Sequence, residues 1–495
     1  MGLFKDSVNV FIGSTLRRIV SIALVIITAR LLNPNEFGIF TISLSICLLL
    51  SSISSFSLEA SIAVAPTEEQ ASQRVIGICF FGLIFGIISW SFIYLFKEFF
   101  SIHYSVNVIN ALLIMLPILI PLNVIDITLQ NYIGYLDKFI FLSISDIISI
   151  FIKLFSFLMI YYLLWQDYRS LILGVIFEIF SKIIIFFYAS KNSSLFSKDT
   201  WSLDIFKSLW EAKNFVKFNF PSQFLNRASF HLIPFLLSIP FTEKEVGLFC
   251  MARNIISIPT RLSSRAIGSV FYPKAATEFR LTGKIANITR QSFFYGCQFS
   301  IFPAIFIASI SGFLLPQILG NNWLGITPFV LIYLPYVIIN AVETQIGIGF
   351  IFSILNKHRN ILIGGIMLFI LHVFPVIINI ALDSSIYLTL IFFSLFGSIA
   401  YFILLLWIFS TVSISAAKAF QTYLKFIIVS GICVFPIIFS YLNQNNYFSY
   451  ISIFLTICLF GLSSWFFLLN TNQKQKISFY MKRFHKRAWE SLNVN

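Results

Sequence analysis

Uninterrupted apolar stretches of about 20 residues recur along the whole chain, and no other feature constrains its fold so tightly. Hydrocarbon offers no partner to backbone N–H and C=O groups, so only helices and closed barrels can span it. A barrel needs short segments of alternating polarity, and the sequence has none. Hydrophobic residues fill 58% of the 495 positions and charged residues 11%, where soluble domains carry about 25% charged residues. One soluble core could not bury that much apolar surface. The expected fold class is therefore an all-α polytopic membrane protein with about 14 transmembrane helices.

The spans are expected near 8–29, 37–64, 76–96, 108–129, 140–163, 171–190, 218–240, 246–270, 291–318, 327–350, 361–382, 387–409, 424–442 and 450–469. Residues 8–29 read as a first span, not a cleaved signal peptide. The run is too long, contains Arg17 and Arg18, and lacks a small-residue cleavage site. The longest basic connection, 191–217, includes the mildly amphipathic "SLDIFKSLWEAKNFVKF". The chain accordingly divides into an N-lobe (1–190), a cytoplasmic linker (191–217), a C-lobe (218–410), two further helices (411–470) and a basic tail (471–495).

The net charge of +14 need not mean a nucleic-acid partner, because the distribution of Lys and Arg explains it. Of 34 such residues, 22 fall in one set of connections and tails, and only Arg30, Lys97, Arg169 and Lys244 fall in the opposite set. By the positive-inside rule the basic-rich set and both termini are expected in the cytoplasm. The tail stretch "NQKQKISFYMKRFHKRAW" reads either as a solvated stop after the last span or as a segment lying on anionic lipid. Cys47, Cys79, Cys250, Cys297, Cys433 and Cys458 stand singly, at no metal or redox spacing, and read as packing residues. No cofactor is expected.

A shift of 209 residues aligns the chain with itself. Phe11, Leu16 and Arg18 then meet Phe220, Leu225 and Arg227, and Glu36, Gly38 and Phe40 meet Glu245, Gly247 and Phe249. Matches at Arg, Glu and Gly are harder to obtain by chance than matches between apolar residues, so the shift reads as an internal repeat. Six spans per repeat keep both copies in one orientation, with a site expected between them.

Eight basic residues lie inside spans: Arg17, Arg18, Lys153, Lys182, Arg227, Arg253, Arg261 and Arg265. The acids there are Glu59, Asp126, Asp146, Glu178 and Glu343. An ionised side chain at mid-bilayer costs about 2.5–3.5 kcal/mol on insertion scales, so each must snorkel, pair or line a wet cavity. Asp146 and Lys153 are seven apart on one helix face, and Glu178 and Lys182 are four apart. These read as structural ion pairs or as ion-coupling sites, with Asp126 a further coupling candidate. Arg17, Arg18 and Arg227 have no acid within a turn, Arg227 shares a face with His231, and Arg261 shares one with Arg265. Two readings stand: these six line a water-filled anion site, or acids on neighbouring helices, Asp126 and Glu343 among them, neutralise the arginines. Arginine suits phosphate because it makes bidentate bonds and stays charged. Prolines inside spans (Pro117, Pro121, Pro221, Pro234, Pro259, Pro303, Pro335, Pro375) mark expected bends.

Four stretches carry a family resemblance: "ARLLNPNEFGIFTISLSI" (29–46), "FSLEASIAVAP" (56–66), "SIPTRLSSRAIGSVFYPKAATEF" (257–279) and "LLPQILGNNWLGITPFVLIYLP" (314–335) with its Leu-Gly-x-x-Trp signature. In order and spacing they resemble Wzx-type polysaccharide flippases of the multidrug/oligosaccharidyl-lipid/polysaccharide exporter superfamily. The resemblance implies two six-helix lobes plus two C-terminal helices in a bacterial inner membrane. It implies movement of undecaprenyl-pyrophosphate-linked oligosaccharide between leaflets, with membrane lipid, polysaccharide polymerase and chain-length machinery as partners. The family's cationic cavity maps onto Arg18, Arg227 and Arg261, with Arg17 and Arg265 beside them. No enzyme activity is expected. The rival readings are a drug/organic-cation antiporter of the same superfamily and a membrane glycan polymerase or ligase.

Overall fold

Asn33 and Thr242, which the 209-residue shift superposes, start helices in the same way. Asn33 Oδ1 accepts from the Glu36 N–H at 3.0 Å, and Thr242 Oγ1 accepts from the Glu245 N–H at 3.3 Å. Each glutamate carboxylate returns to the backbone N–H of its cap. Two such capping boxes satisfy helix-start donors that lipid could not.

The computed structural model describes residues 2–463 apart from 198–199, 201–203, 214–215, 218–219, 347–350, 353–354, 356–357, 415 and 444–445. The basic tail lies outside them. The described helices are α1 (Gly2–Leu31), α2 (Pro34–Ser54), α3 (Glu68–Leu95), α4 (Lys97–Ser101), α5 (Val106–Tyr135), α6 (Phe139–Leu163), α7 (Tyr168–Ala189), α8 (Asp204–Glu211), α9 (Phe220–Leu237), α10 (Glu243–Ile256), α11 (Ile258–Thr282), α12 (Ala286–Ile310), α13 (Leu314–Leu319), α14 (Thr327–Ile346), α15 (His358–Ala381), α16 (Ile386–Thr411), α17 (Ala416–Asn443) and α18 (Asn446–Ser463). Among the described residues there is no β-strand. Among the described residues, eight helical stretches are long and apolar enough to cross a membrane by themselves.

Three expected spans are interrupted. The span expected at 37–64 leaves the α-helix at Ser54, where Phe56 and Ser57 take positive φ, and continues as a 3-10 turn over Leu58–Val64. The one expected at 246–270 divides at Ser257 into α10 and α11. The one expected at 291–318 ends at Ile310, and α13 follows separately. Hydropathy runs straight through all three breaks. Pro259, one of the eight prolines expected to mark bends, sits in the first turn of α11, two residues past the break at Ser257, where a missing N–H costs nothing.

α6 shows how one helix serves lipid and interior together. Ile140, Ile144, Ile148, Phe151 and Phe155 form an exposed stripe at helical spacing, while Asp146, Ile150 and Phe157 on the other side are buried. The first-half helices pack as α1 on α6, α2 and α3 on α5, and α5 and α6 on α7. The second-half helices pack as α9 on α15, α10 and α11 with α12 and α14, and α14 and α15 on α16. α17 and α18 pair with each other and lean on α12. α8, inside the basic connection, lies against α3. Between the halves α2 makes the main contacts, with α9 and α10, whereas α1 touches the second half thinly at α11 and α13.

Candidate functional site

Arg17 and Arg18 are adjacent on α1, so their side chains leave the helix about 100° apart. The structure sends them to opposite halves. The Arg17 guanidinium donates to the Asp146 carboxylate and, at 2.6 Å, to Glu178 Oε1. Lys153 reaches the other Glu178 oxygen at 2.9 Å. Lys182 lies 3.5 Å from Asp146 and 4.0 Å from Asp126. Three bases and three acids from α1, α5, α6 and α7 therefore share one network. The pairs expected within α6 and within α7 have exchanged partners, because the charged faces of these helices are turned toward each other: Lys153 serves Glu178, and Lys182 serves Asp146.

Arg18 turns the other way and donates to the main-chain carbonyl of Arg261 on α11. Across from it, Arg261 donates to the Asn254 carbonyl. Arg253 donates to the Phe230 carbonyl at 3.3 Å and sits 5.6 Å from the Phe249 ring centroid. Among the described residues neither Arg253 nor Arg261 meets a carboxylate within 4.0 Å. Bonds to carbonyls orient a guanidinium without cancelling its charge, and each leaves further N–H donors for another partner.

These side chains surround two adjoining cavities of about 530 and 500 Å³, which share Leu24, Val25, Lys153, Asn254, Arg261 and Ser264 as walls. Arg253 and His231 complete the first cavity, and Arg17, Arg18 and Glu178 the second. Among the described residues the formally charged lining is thus five bases (Arg17, Arg18, Lys153, Arg253, Arg261) to one acid. Tyr333 and Tyr336 add phenol faces.

Of the residues singled out in the sequence, Arg17, Arg18, Arg261 and His231 line this space. Arg227 does not line it; its guanidinium lies 3.8 Å from Glu59, in the 3-10 turn after α2. The side chains of Arg265 and Glu343 lie outside the described ones. Asp126, Asp146 and Glu178 stand together as counter-ions. Lys153 and Arg253 are wall residues that the sequence did not mark as such: Lys153 was read as a partner of Asp146, and Arg253 only as a base within a span. Lys153 was hidden by its in-register spacing to Asp146. Arg253 offered no motif, only a position one turn before the break at Ser257.

Residues 27–328 match the family described as polysaccharide biosynthesis protein. The chain belongs to that family. Its fold is shared with solved transporters of low sequence identity. A lipid II flippase, MurJ, in an inward closed conformation superposes with a TM-score of 0.66 at 15% identity, over 92% of this chain and 97% of that one. An inward-facing multidrug resistance MATE transporter of the MOP superfamily gives 0.56 at 12% identity, over 84% and 95%. The MATE multidrug transporter DinF-BH gives 0.58 at 12% identity, over 83% and 95%. No curated protein sequence matches. The family member is accordingly a multi-pass helical membrane protein with the MOP exporter fold.

Proposed function

We propose that the chain is a flippase for undecaprenyl-pyrophosphate-linked oligosaccharide, an O-antigen or other surface polysaccharide repeat unit, in a bacterial inner membrane. The observation that carries this reading is a cavity between the helix halves with five bases and one acid among the described residues of its wall. The family and the fold held in common with a lipid II flippase support it. A diphosphate docks on Arg18, Arg253 and Arg261 from the lysine-rich, cytoplasmic side, and competes with Glu178 for Arg17 and Lys153. His231 borders the same site, and Arg227 acts from outside it through Glu59. The lipid tail stays in the bilayer, and the two lobes rock about the bound headgroup. An inside-negative potential favours outward movement of an anion by roughly 2.3 kcal/mol per charge per 100 mV. Asp126, Asp146 and Glu178 are the ion-coupling set: when diphosphate draws Arg17 away, their uncompensated charge calls for a cation or a proton. No step makes or breaks a covalent bond.

The test is a flipping assay in proteoliposomes with a fluorescent polyprenyl-diphosphate oligosaccharide. The expected result is leaflet exchange that needs the protein and fails in Arg18→Ala and Arg261→Ala variants that insert normally. Exchange unaffected by both variants overturns the site. A MATE-like antiporter shares the fold, but an organic cation is poorly served by this lining. Uptake of tetraphenylphosphonium without diphosphate-lipid exchange would decide for that reading.

A further inference from the structure

The arginine cavity has a neighbour. A second space of about 760 Å³ lies past the starts of α2 and α10, at the lysine-poor end, and is lined by Asn33, Asn35, Lys244, Glu245, Asn321 and Tyr387 among others. On α2, Pro34 and Asn35 face this outer space while Phe37, Phe40 and Thr41 face the arginine cavity. On α10, Lys244, Glu245 and Leu248 face the outer space while Arg253 and Asn254 face the inner one. The partition between the two is the crossing of these helices.

That crossing has no clearance. A Cβ on Gly38 would overlap the Glu243 carbonyl oxygen, and a Cβ on Gly247 would overlap the Pro34 carbonyl oxygen and come within 2.9 Å of the Gly38 nitrogen. The obstacles are backbone atoms, so no rotamer change could relieve them. The contact is also reciprocal. The 209-residue shift converts Gly38 into Gly247 and Pro34 into Glu243, so each half supplies one glycine and one carbonyl a turn earlier. Both helix starts are stiffened by capping boxes, so the surfaces that meet are rigid. Other ties cross between the halves at the same end: Trp323 Nε1 donates to the Ala29 carbonyl at 2.7 Å, and Arg30 Nε to the Ile318 carbonyl at 2.6 Å.

We infer that the Gly38–Gly247 crossing is the gate between the arginine cavity and the lysine-poor face, a two-fold seal that closes only because neither helix has a side chain there. A residue with a Cβ at either position holds the helices apart and biases the protein toward opening on that face. The purpose of such a gate rests on the transport reading. The contact itself does not depend on what is carried, and the experiment reads the contact.

Thr41→Cys places a thiol just inside the gate, and Asn35→Cys one just outside. Each is exposed in vesicles to a charged, membrane-impermeant maleimide on the lysine-poor face, and labelling of that peptide is followed by mass spectrometry. Position 35 should label readily and position 41 slowly. Adding Gly38→Val or Gly247→Val should speed labelling at 41 about tenfold or more, as expected for a shifted two-state equilibrium. Gly134→Val is the control, because a Cβ there meets nothing within 4 Å. Unchanged labelling at 41 in a monodisperse Gly38→Val protein overturns the gate. Should both valine variants fail to fold, spin labels on Asn35→Cys and Lys244→Cys leave the glycines intact. Two separations measured by pulsed EPR in lipid nanodiscs support a gate that opens, and one narrow separation overturns it. Loss of glycan flipping with altered labelling retained would strike the cargo reading alone.

Discussion

The two walls of the arginine cavity solve the cost of buried charge in opposite ways. The first-half wall is compensated: Arg17, Lys153 and Lys182 meet Asp126, Asp146 and Glu178 in one network. The second-half wall holds Arg253 and Arg261 against backbone carbonyls instead. The contrast extends to repeat-related residues. Arg18 and Arg227 each reach across to a residue just past the other half's second helix. For Arg227 that residue is Glu59, five after Ser54; for Arg18 it is Arg261, five after Ile256. Arg227 thus meets a carboxylate and Arg18 a main-chain carbonyl. The first wall therefore contributes structure and a reserve of charge, and the second contributes most of the cationic field. An anion entering the cavity gains from the second wall without breaking any ion pair, and from the first only by displacing carboxylates.

The contrast can be broken by substitution. Arg17→Ala should have the largest effect on stability. It leaves Asp146 and Glu178 under-compensated in a buried site, where removal of one partner costs about 3–5 kcal/mol. Thermal unfolding of the purified protein should show a large loss, and Arg17→Ala/Glu178→Gln should recover part of it by removing a stranded charge. An unchanged melting temperature for Arg17→Ala would mean that the network is not structural. Arg261→Ala should leave melting nearly unchanged and weaken binding of a polyprenyl diphosphate about 10- to 100-fold, the range for a lost charge-assisted hydrogen bond. Arg261→Lys should restore only part of this, because lysine keeps the charge but not the bidentate fork. Equal melting losses for Arg17→Ala and Arg261→Ala would erase the distinction between the walls. Glu59→Gln should have the smallest effect, within about 1 kcal/mol in unfolding, because Arg227 is partly exposed and the contact is long.

The helical class and the places of the helices were legible because lipid reduces folding to a question of apolar length. The break at Ser54 was not, since positive φ at Phe56 and Ser57 leaves hydropathy unchanged, whereas the break at Ser257 falls two residues before Pro259, a marked bend. The repeat was legible as matching letters, Glu36 with Glu245 and Gly38 with Gly247. What those letters do, one pair closing caps and the other letting two backbones touch, depends on tertiary contact. Among the charges, sequence spacing proposed partners along one helix, while the folded chain pairs Lys153 and Lys182 across the α6–α7 interface. Arg17 and Arg18 are adjacent in sequence, but neighbours leave a helix about 100° apart, and the two turn to different walls. Arg253 was visible as a base within a span but not as a wall residue, because its place in the cavity depends on how α10 packs against α2, α9 and α14.

The most direct measurement is equilibrium binding of a polyprenyl diphosphate to the protein in nanodiscs, comparing the natural chain with an Arg253→Ala/Arg261→Ala double variant of equal thermal stability. A second wall that supplies the anion site predicts at least about 100-fold weaker binding by the double variant. Undiminished affinity in that variant would contradict the assignment of the cavity as a diphosphate site.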